Sequence, residues 1–273
     1  MSSTEADAIE RSDRPATVAS LSSDLRRLGL DSGDLVIVHS SLSALGWVVG
    51  GAQAVAMALL ETVGETGTVV VPTHTGHLTD PAQWSNPPVP EAWLDAIRDA
   101  MPLFDPAMTI PRQMGAVVEC IRMHPDAIRS SHPVVSFAAV GPRAGEILED
   151  HPLTPSLGEG SPLAKLYDLD AKVLLIGVGH ANDTSIHLAE HRADFAGKTT
   201  RLEGVAALVD GRREWVTYHD VDIDTSDFDR IGEAIEQAGF ESCGEVGAGT
   251  GRLARQRQIV DFAVAWMETN RTF

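Results

Sequence analysis

The sequence predicts an α/β protein with a mixed, largely parallel central sheet flanked by helices, and with a small appended β-hairpin. Two apolar runs, LVIVHS (35–40) and GTVVVPT (67–73), flank a helical segment at 52–63, which is the βαβ unit of a parallel sheet. KVLLIGVG (172–179) is the most apolar strand. The composition, with 24 glycines and 5% aromatic residues, favours a fold with tight loops over a β-sandwich.

The hairpin is predicted from two alternating segments, 204–210 and 213–220, joined by Gly211-Arg212 in the turn sequence DGRR (210–213). Further helices are expected at 17–30, 112–124, from Ser161-Pro162 onward, 185–194, 230–238 and 252–268, a further strand at 134–140, and loops at 80–90 and 152–160. Thr184 or Asp183 can cap the helix at 185–194. Gly239 is expected to end the helix at 230–238. Residues 1–16 are expected to form a polar tail, and residues 17–273 a single domain without an interior linker.

Charge limits the classes of partner. The formal net charge is −18 and the pI is near 4.8, so the surface repels nucleic acid and anionic membranes and favours cationic ligands. We expect no membrane span and no signal peptide, hence a cytoplasmic protein. The two cysteines, Cys120 and Cys243, form neither a zinc signature nor a disulfide framework. The sequence leaves the oligomeric state undetermined.

Polar residues follow the predicted parallel strands, whose carboxyl ends are where ligands bind in open α/β sheets. The first strand ends in His39, Ser40 and Ser41, the second in Thr73, His74 and Thr75, and the third in Gly179 and His180. The glycines of 46–51 precede a helix, so they form either an anion seat or a plain tight turn. No G-x-S-x-G elbow and no P-loop occurs in the sequence.

The segment 177–191 holds three histidines and a carboxylate. On a helix, His187, Glu190 and His191 share one face, but their order is not the H-E-x-x-H pattern of metalloproteases. His187 fits a general base, and a metal ligand or a core histidine are the alternatives. An orienting acid is needed, for which Glu190, Asp220 and Asp222 are the candidates; the last two share a strand face.

Six segments in order resemble the aminoglycoside 3-N-acetyltransferase family over residues 21–262. They are VHSSLSALGWVVGG (38–51), VVPTHTG (70–76), PRQMGAVVE (111–119), RSSHPVVSFAAVG (129–141), GEGSPLAKLYDLDAKVLLIGVGHANDTSIHLAEHRA (158–193) and RLARQRQIVDF (252–262). The resemblance implies an antibiotic N-acetyltransferase fold, unlike that of the small N-acetyltransferases. It also implies transfer of an acetyl group from acetyl-CoA to the 3-amino group of a 2-deoxystreptamine aminoglycoside.

The resemblance also implies roles for residues. His187 matches the catalytic base and Asp220 an acidic partner, with Glu190 as the other orienting candidate. Asp80, His180 and Asp222 are implied on the substrate side. The cofactor-binding candidates are His39, Ser40, Ser41, Leu42, Ser43, Gly50, Gly51, Thr73, Arg112, Met114 and Gly115. Donors to the oxyanion are expected from backbone N–H groups at a helix start or from a hydroxyl such as that of Thr73.

Three alternatives to this function stay open on sequence alone. The first is an acetyl-CoA-dependent transferase for another amine. The second is a metal-dependent hydrolase using His180, His187 and Asp220, whereas the family reading expects no metal. The third is a non-catalytic protein that sequesters a cationic ligand. Which aminoglycosides are accepted, and whether resistance is the native role, are not decided by the sequence.

Overall fold

The computed structural model describes residues 5–271. Its α-helices are α1 (Glu5–Glu10), α2 (Val18–Leu28), α3 (Gly51–Val63), α4 (Leu94–Ala100), α5 (Ala116–Arg122), α6 (Ala144–Leu148), α7 (Pro162–Asp168), α8 (Ser185–Arg192), α9 (Phe228–Ala238) and α10 (Gln256–Asn270). Its strands are β1 (Leu35–Ser40), β2 (Thr68–Pro72), β3 (Ile128–Arg129), β4 (Phe137–Val140), β5 (Lys172–Ile176), β6 (Thr200–Val209), β7 (Arg212–Val221), β8 (Ser242–Val246) and β9 (Gly249–Arg255). Within these residues no helix is long and apolar enough to cross a membrane.

One mixed sheet has the strand order β3-β4-β2-β1-β5-β9-β8. The predicted unit β1–α3–β2 is present, and β1 pairs in parallel with both β2 and β5. The flanking strands all pair antiparallel. The α/β class is therefore confirmed, but the expectation of a largely parallel sheet holds only for the three central strands.

The two faces of the sheet carry two apolar cores. Alternate residues of β1 divide between them, because successive side chains of a strand point to opposite faces. Leu35 and Ile37 pack with α6 to α10, whereas Val36 and Val38 pack with α2, α3 and α5. The histidine-bearing helix α8 is thus held against the first of these faces by Ile186, Leu188 and Ala189, among other residues.

The largest difference from the sequence prediction lies near the C-terminus. A helix was expected from residue 252, but β9 continues to Arg255 and α10 begins at Gln256. The reason is tertiary: residues 251–255 pair with β5, from Ile176 opposite Gly251 to Lys172 opposite Arg255. The edge strand β8, with the sequence SCGEV, was not predicted, because Gly and Glu are poor strand formers.

Two other elements are shorter than predicted. The helix expected at 112–124 begins only at Ala116, because Gln113 and Gly115 have positive φ angles of 62° and 88°. The strand expected at 134–140 begins at Phe137. By contrast, the predicted hairpin is longer, since β6 and β7 pair over their whole lengths as a separate two-stranded sheet.

The segment expected to be a polar tail contains α1, and this part of the chain contacts the loop after β1. The indole Nε1 of Trp47 donates to Glu5 Oε1 at 3.0 Å, and Arg11 Nη2 donates to the carbonyl of Ser43 at 2.9 Å. Ala16 is buried and bridges to Val48. Residues 1–4 of the expected tail lie outside the described residues.

Candidate active site

The parallel strands β2, β1 and β5 all end at the same edge of the sheet, and a cleft of about 460 Å³ opens there. It is lined by Val38, His39, Ser40, Ser41, Leu42, Ser43, Pro72, Gln113, Met114, Gly115, Ala116, Val118, Val178, Asn182 and Thr184. Thr184 directly precedes α8. The cleft therefore adjoins the first turn of the helix that carries His187.

His187 and Glu190 form a hydrogen-bonded pair on α8. The Nδ1 of His187 lies 2.6 Å from Glu190 Oε2, one helical turn away, as the i, i+3 spacing predicts. The imidazole is 9% exposed and its ring centroid lies 5.0 Å from that of Phe228. Because an ionised carboxylate only accepts hydrogen bonds, the neutral form of this imidazole has its proton on Nδ1 and its lone pair on Nε2. Within residues 5–271, Nε2 has no hydrogen-bond partner.

Glu190 is fully buried, and its second oxygen is also bound. Oε1 accepts from Arg271 Nη1 at 2.8 Å and from the backbone N–H of Asp224 at 2.9 Å. A buried carboxylate requires such partners, because its desolvation is otherwise very costly. Glu190 thus has one oxygen fixed by the protein and the other free to orient the imidazole.

Neutral histidines surround this pair. Burial lowers the pKa of His39 to about 4, against the opposing effect of Asp183, and lowers the pKa of His74 to about 3. The Nε2 atoms of both are buried without a hydrogen-bond partner in the part of the chain that the structure describes. Both residues interact electrostatically with His187. His187 therefore has uncharged neighbours on the sheet side at neutral pH.

Asp183 lies just before the helix on which this arrangement depends. Its Oδ1 accepts from the N–H of Ser185, the first residue of α8, at 2.9 Å, and its Oδ2 lies 3.0 Å from His180 Nδ1. Of the two predicted caps, Thr184 is the N-cap residue, but its side chain makes no capping hydrogen bond to any residue that the structure describes.

His180, predicted to contact substrate, is instead an interior residue. It is 4% exposed, and its second nitrogen, Nε2, lies 2.7 Å from Glu241 Oε1. Both ring nitrogens therefore face carboxylates of the protein and not the cleft. Although burial alone would lower it, the hydrogen bonds to Asp183 and Glu241 raise the pKa of His180 to about 9. His180 is an imidazolium ion that ties the loop before α8 to the segment after α9.

This ion pair predicts a loss of stability in alkali. A folded-state pKa above the unfolded value of about 6.5 stabilises the fold below pH 6.5, and that contribution is lost as the pH rises through about 9. We expect the free energy of unfolding to fall by roughly 3 kcal/mol across this window. Urea unfolding of wild type and His180→Gln at pH 7 and pH 9.5 measures it: the difference between the two proteins should shrink at the higher pH. An equal difference at both values would contradict the assignment.

Asp220 does not contact His187. Its Oδ2 accepts from the backbone N–H of Ser156 at 2.9 Å and its Oδ1 from the N–H of Val221 at 2.8 Å. Asp220 is buried at the end of β7 and interacts electrostatically with His191. Of the three carboxylates considered as orienting acids, the structure brings only Glu190 to the His187 imidazole.

The other two predicted substrate-side residues already have arginine partners. Asp80 Oδ1 accepts from Arg98 Nη2 at 2.8 Å, and it also accepts from the backbone N–H of Ala82 at 2.9 Å. Asp222 is exposed and lies 3.4 Å from Arg201 Nη1. Neither carboxylate lines the cleft beside α8.

Most of the predicted cofactor residues meet in one place. His39, Ser40, Ser41, Leu42, Ser43, Met114 and Gly115 all line the cleft. Gly51 lines a second depression that shares Leu42 and Ser43 with it, whereas Arg112 lines a third one that shares Gln113. Gly50 lines none of these three and has φ 82° just before α3.

Thr73 is a clear exception among the cofactor candidates. It is fully buried, its hydroxyl lies 2.9 Å from Ser136 Oγ, and the same hydroxyl accepts from Arg129 Nε at 3.1 Å. The structure thus places the Thr73 hydroxyl in an internal network that joins β2 to β4, and not among the residues that line the cleft.

No group of three or more His, Cys, Asp or Glu side chains in residues 5–271 could hold a metal ion. The set His180, His187 and Asp220 proposed for a metal-dependent hydrolase thus does not form such a group. Each of the three is instead engaged with a different partner, as described above.

Comparison with known proteins decides the family. The profile of the family described as aminoglycoside 3-N-acetyltransferase matches residues 37–268. The chain belongs to this family. It is accordingly an acyltransferase, and the resemblance seen in the sequence is confirmed.

Curated members of the aminoglycoside 3-N-acetyltransferase family are similar along nearly the whole chain. The SPbeta prophage-derived aminoglycoside N(3')-acetyltransferase-like protein YokD of Bacillus subtilis (strain 168) is 42% identical over 96% of this chain and 96% of its own. Aminoglycoside N(3)-acetyltransferase VII of Streptomyces paromomycinus is 38% identical over 95% of this chain and 94% of its own.

Solved structures of the family share the fold. The crystal structure of YokD from Bacillus subtilis has a TM-score of 0.94 at 41% identity, covering 97% of this chain and 98% of that one. AAC-IIIb, solved as a binary complex with CoASH, has a TM-score of 0.85 at 31% identity, with 95% and 98% covered. AAC-VIa bound to sisomicin has a TM-score of 0.84 at 31% identity, with 95% and 100% covered.

Arg271 and Asp224 complete the hydrogen bonding of Glu190 but were not predicted from sequence. Arg271 lies 81 positions from Glu190 in the chain, and Asp224 contributes only a backbone N–H, so no local pattern reports either. The position of His74 after a predicted parallel strand marked it as a possible site residue. Nothing in the sequence distinguished it from the polar residues beside it.

Proposed function

We propose that this enzyme transfers the acetyl group of acetyl-CoA to the 3-amino group of a 2-deoxystreptamine aminoglycoside, with His187 as general base. The observation that carries the proposal is the hydrogen bond from His187 Nδ1 to the buried Glu190, which leaves Nε2 without a partner in residues 5–271, on the helix whose preceding residue, Thr184, lines the cleft. The CoASH bound to AAC-IIIb and the sisomicin bound to AAC-VIa support this choice of cosubstrate and acceptor.

The chemistry needs a base because an ammonium group cannot attack a thioester. Nε2 of His187 takes one proton from the substrate ammonium group. The lone pair of the resulting amine nitrogen then forms the C–N bond with the acetyl carbon. Collapse of the tetrahedral intermediate breaks the C–S bond. Of the two protons that the nitrogen loses, one ends on the CoA sulfur and one in solvent. Glu190 stabilises the imidazolium that exists in between, as the acid of a catalytic triad does.

The oxyanion of the intermediate needs a donor other than Thr73. Thr184 lines the cleft, and its backbone N–H has no acceptor among residues 5–271. A free N–H at the start of a helix suits a developing negative charge. We propose this group as the donor, which keeps the expectation of a backbone N–H at a helix start.

The net charge of −18 supports a polycationic acceptor, because a strongly acidic protein attracts cations over long distances. One observation favours a second candidate: Asp80 and Asp222 are already paired with Arg98 and Arg201. With those carboxylates neutralised, acetyl transfer to a less charged amine is the alternative.

A thiol-release assay with a panel of acceptors tests the proposal. Purified protein, acetyl-CoA and either gentamicin, apramycin or a simple primary amine are mixed, and free CoA is measured with a thiol reagent. Release with an aminoglycoside, followed by NMR assignment of the acetyl group to N3, is the expected result. Release only with the simple amine would select the second candidate, and no release with any acceptor would reject both.

A further inference from the structure

Arg271, the last residue that the structure describes, lies in the same charged cluster as the proposed base. Its guanidinium is 5% exposed and donates to Glu190 Oε1, to both oxygens of Asp227 at 2.6 and 2.8 Å, and to the carbonyl of Asp224 at 2.8 Å. Its charge also lies 5.0 Å from the centre of the Phe195 ring. The guanidinium therefore joins the end of α10 to α8 and to the start of α9.

The two oxygens of Glu190 contact two different basic groups, the guanidinium of Arg271 and the imidazole of His187. Oε1 faces the permanent charge of Arg271, and Oε2 faces the imidazole that becomes charged when it accepts a proton. A planar guanidinium with four of its N–H groups engaged can hold a carboxylate in one orientation, which an ammonium on a flexible chain does less well. Arg271 thus fixes the orientation of Glu190. Its positive charge also reduces the electrostatic stabilisation that Glu190 gives to a protonated His187.

We infer that Arg271 is a positioning residue of the acyltransferase: it holds Glu190 in the orientation that aligns His187, so the residue that follows α10 supports the catalytic pair. This inference rests on the proposed function in assigning the base to His187. It goes beyond that proposal in assigning a role to a residue that touches neither substrate nor cofactor.

The inference predicts a sign for the pH profile. Removing a cation near the Glu190–His187 pair increases the affinity of the pair for a proton, so the acidic limb of the profile of kcat/KM should move to higher pH. His39, His74 and His191 also interact electrostatically with His187. The pKa values of His39 and His74, about 4 and about 3, keep these two neutral throughout an assay between pH 6 and pH 9. The pKa of His191 is lowered as well, mainly by burial.

The kinetic test compares Arg271→Gln, Arg271→Lys and Arg230→Gln. We expect kcat of Arg271→Gln to fall roughly 10- to 100-fold, the rate equivalent of one hydrogen bond to a charged group, with little change in KM for acetyl-CoA. Arg271→Lys keeps the charge and should recover part of the loss. Arg230 is the matched control, because it stacks on Trp266 of α10 at 5.3 Å without contacting Glu190. A folded Arg271→Gln protein with wild-type kcat and an unmoved acidic limb would overturn the inference.

An NMR titration separates this inference from the proposed function and from misfolding. The imidazole resonances of His187, assigned with His187→Gln, are followed against pH in wild type and in Arg271→Lys and Arg271→Gln. Titration of His187 at higher pH in Arg271→Gln supports the positioning role even where the wild-type protein acetylates no aminoglycoside. An unchanged titration in both variants refutes it, whatever the activity.

Discussion

Replacing His187 by glutamine is expected to lower kcat by about 10²- to 10⁴-fold, the usual contribution of a positioned general base. Glutamine retains a donor for Glu190 Oε2, so the buried carboxylate keeps a partner. It has no group that can take a proton from an ammonium ion. We therefore expect KM for acetyl-CoA to change little, and the loss to appear in the chemical step as measured by single-turnover acetyl transfer.

The double variant His187→Gln/Glu190→Gln sharpens this test. Because Glu190 acts on the reaction through His187, removing both should be no slower than removing His187 alone, as happens for groups that act as a unit. Multiplicative losses would mean that Glu190 has a separate role. The contacts of Glu190 with Arg271 and Asp224 are the reason to measure unfolding of each variant alongside its kinetics.

His191→Gln is the matched control for His187→Gln. It lies one turn further along α8, on the same face, and its Nε2 is buried without a partner among residues 5–271. Activity should stay within roughly threefold of wild type, because the His191 side chain makes no hydrogen bond with Glu190 in the described residues and acts on His187 only through space. Collapse in His191→Gln and survival in His187→Gln would transfer the role of base to His191. His180 is no longer the next candidate, because both of its ring nitrogens face carboxylates.

Elements with a local signal could be predicted from the sequence. The strands β1, β2 and β5 are short apolar runs, α9 ends at Gly239 in the left-handed conformation, and the hairpin turns at Asp210-Gly211. The boundary between β9 and α10 could not be predicted in this way. Leu253 and Ala254 belong to a strand only because β5 lies beside them, and their apolar spacing continues without a break into the helix.

In the candidate site, too, contacts between residues close in sequence could be predicted, whereas contacts with distant segments could not. His187 and Glu190 are three residues apart on one helix, so their contact follows from helical geometry alone. Asp220 was also a candidate for the acid that orients His187. The loop before α7 instead brings the N–H of Ser156 to the Asp220 carboxylate. Thr73 and His180 look like site residues in the sequence, but their burial depends on Ser136, Arg129 and Glu241 from distant segments. Contacts between segments that lie far apart in the chain leave no recognisable pattern in a single sequence.

Acidification is expected to destabilise the protein steeply below pH 6.5, because four histidines are buried in the neutral form. Burial lowers the pKa of His39 and His132 to about 4, and the pKa of His74 and His151 to about 3. His151 is also affected by its neighbour His132, whose ring centroid lies 4.7 Å away. In the unfolded chain all four return to a pKa of about 6.5 and take up a proton there.

The sign follows from proton binding. Between pH 6.5 and about 4 the unfolded state binds more protons than the folded state, so the free energy of unfolding falls as the pH falls. Each histidine contributes roughly 1.4 kcal/mol per pH unit in that range, so the four together contribute roughly 6 kcal/mol per unit. Since domains are stable by only about 5–15 kcal/mol, the enzyme should unfold near pH 5.

Urea unfolding at half-unit steps from pH 7.5 to pH 5 measures this slope, and His132→Asn tests its origin. His132 Nδ1 accepts from the backbone N–H groups of Val134 and Val135, and an asparagine oxygen can accept from both in the same turn. The variant should lose about a quarter of the slope, whereas His219→Asn, at an exposed position, should leave it unchanged. A free energy of unfolding that stays level between pH 6.5 and pH 5 would show that these imidazoles are not neutral in the fold. The uncharged surroundings assigned to the base His187 would then have to be given up as well, because His39 and His74 are among the four.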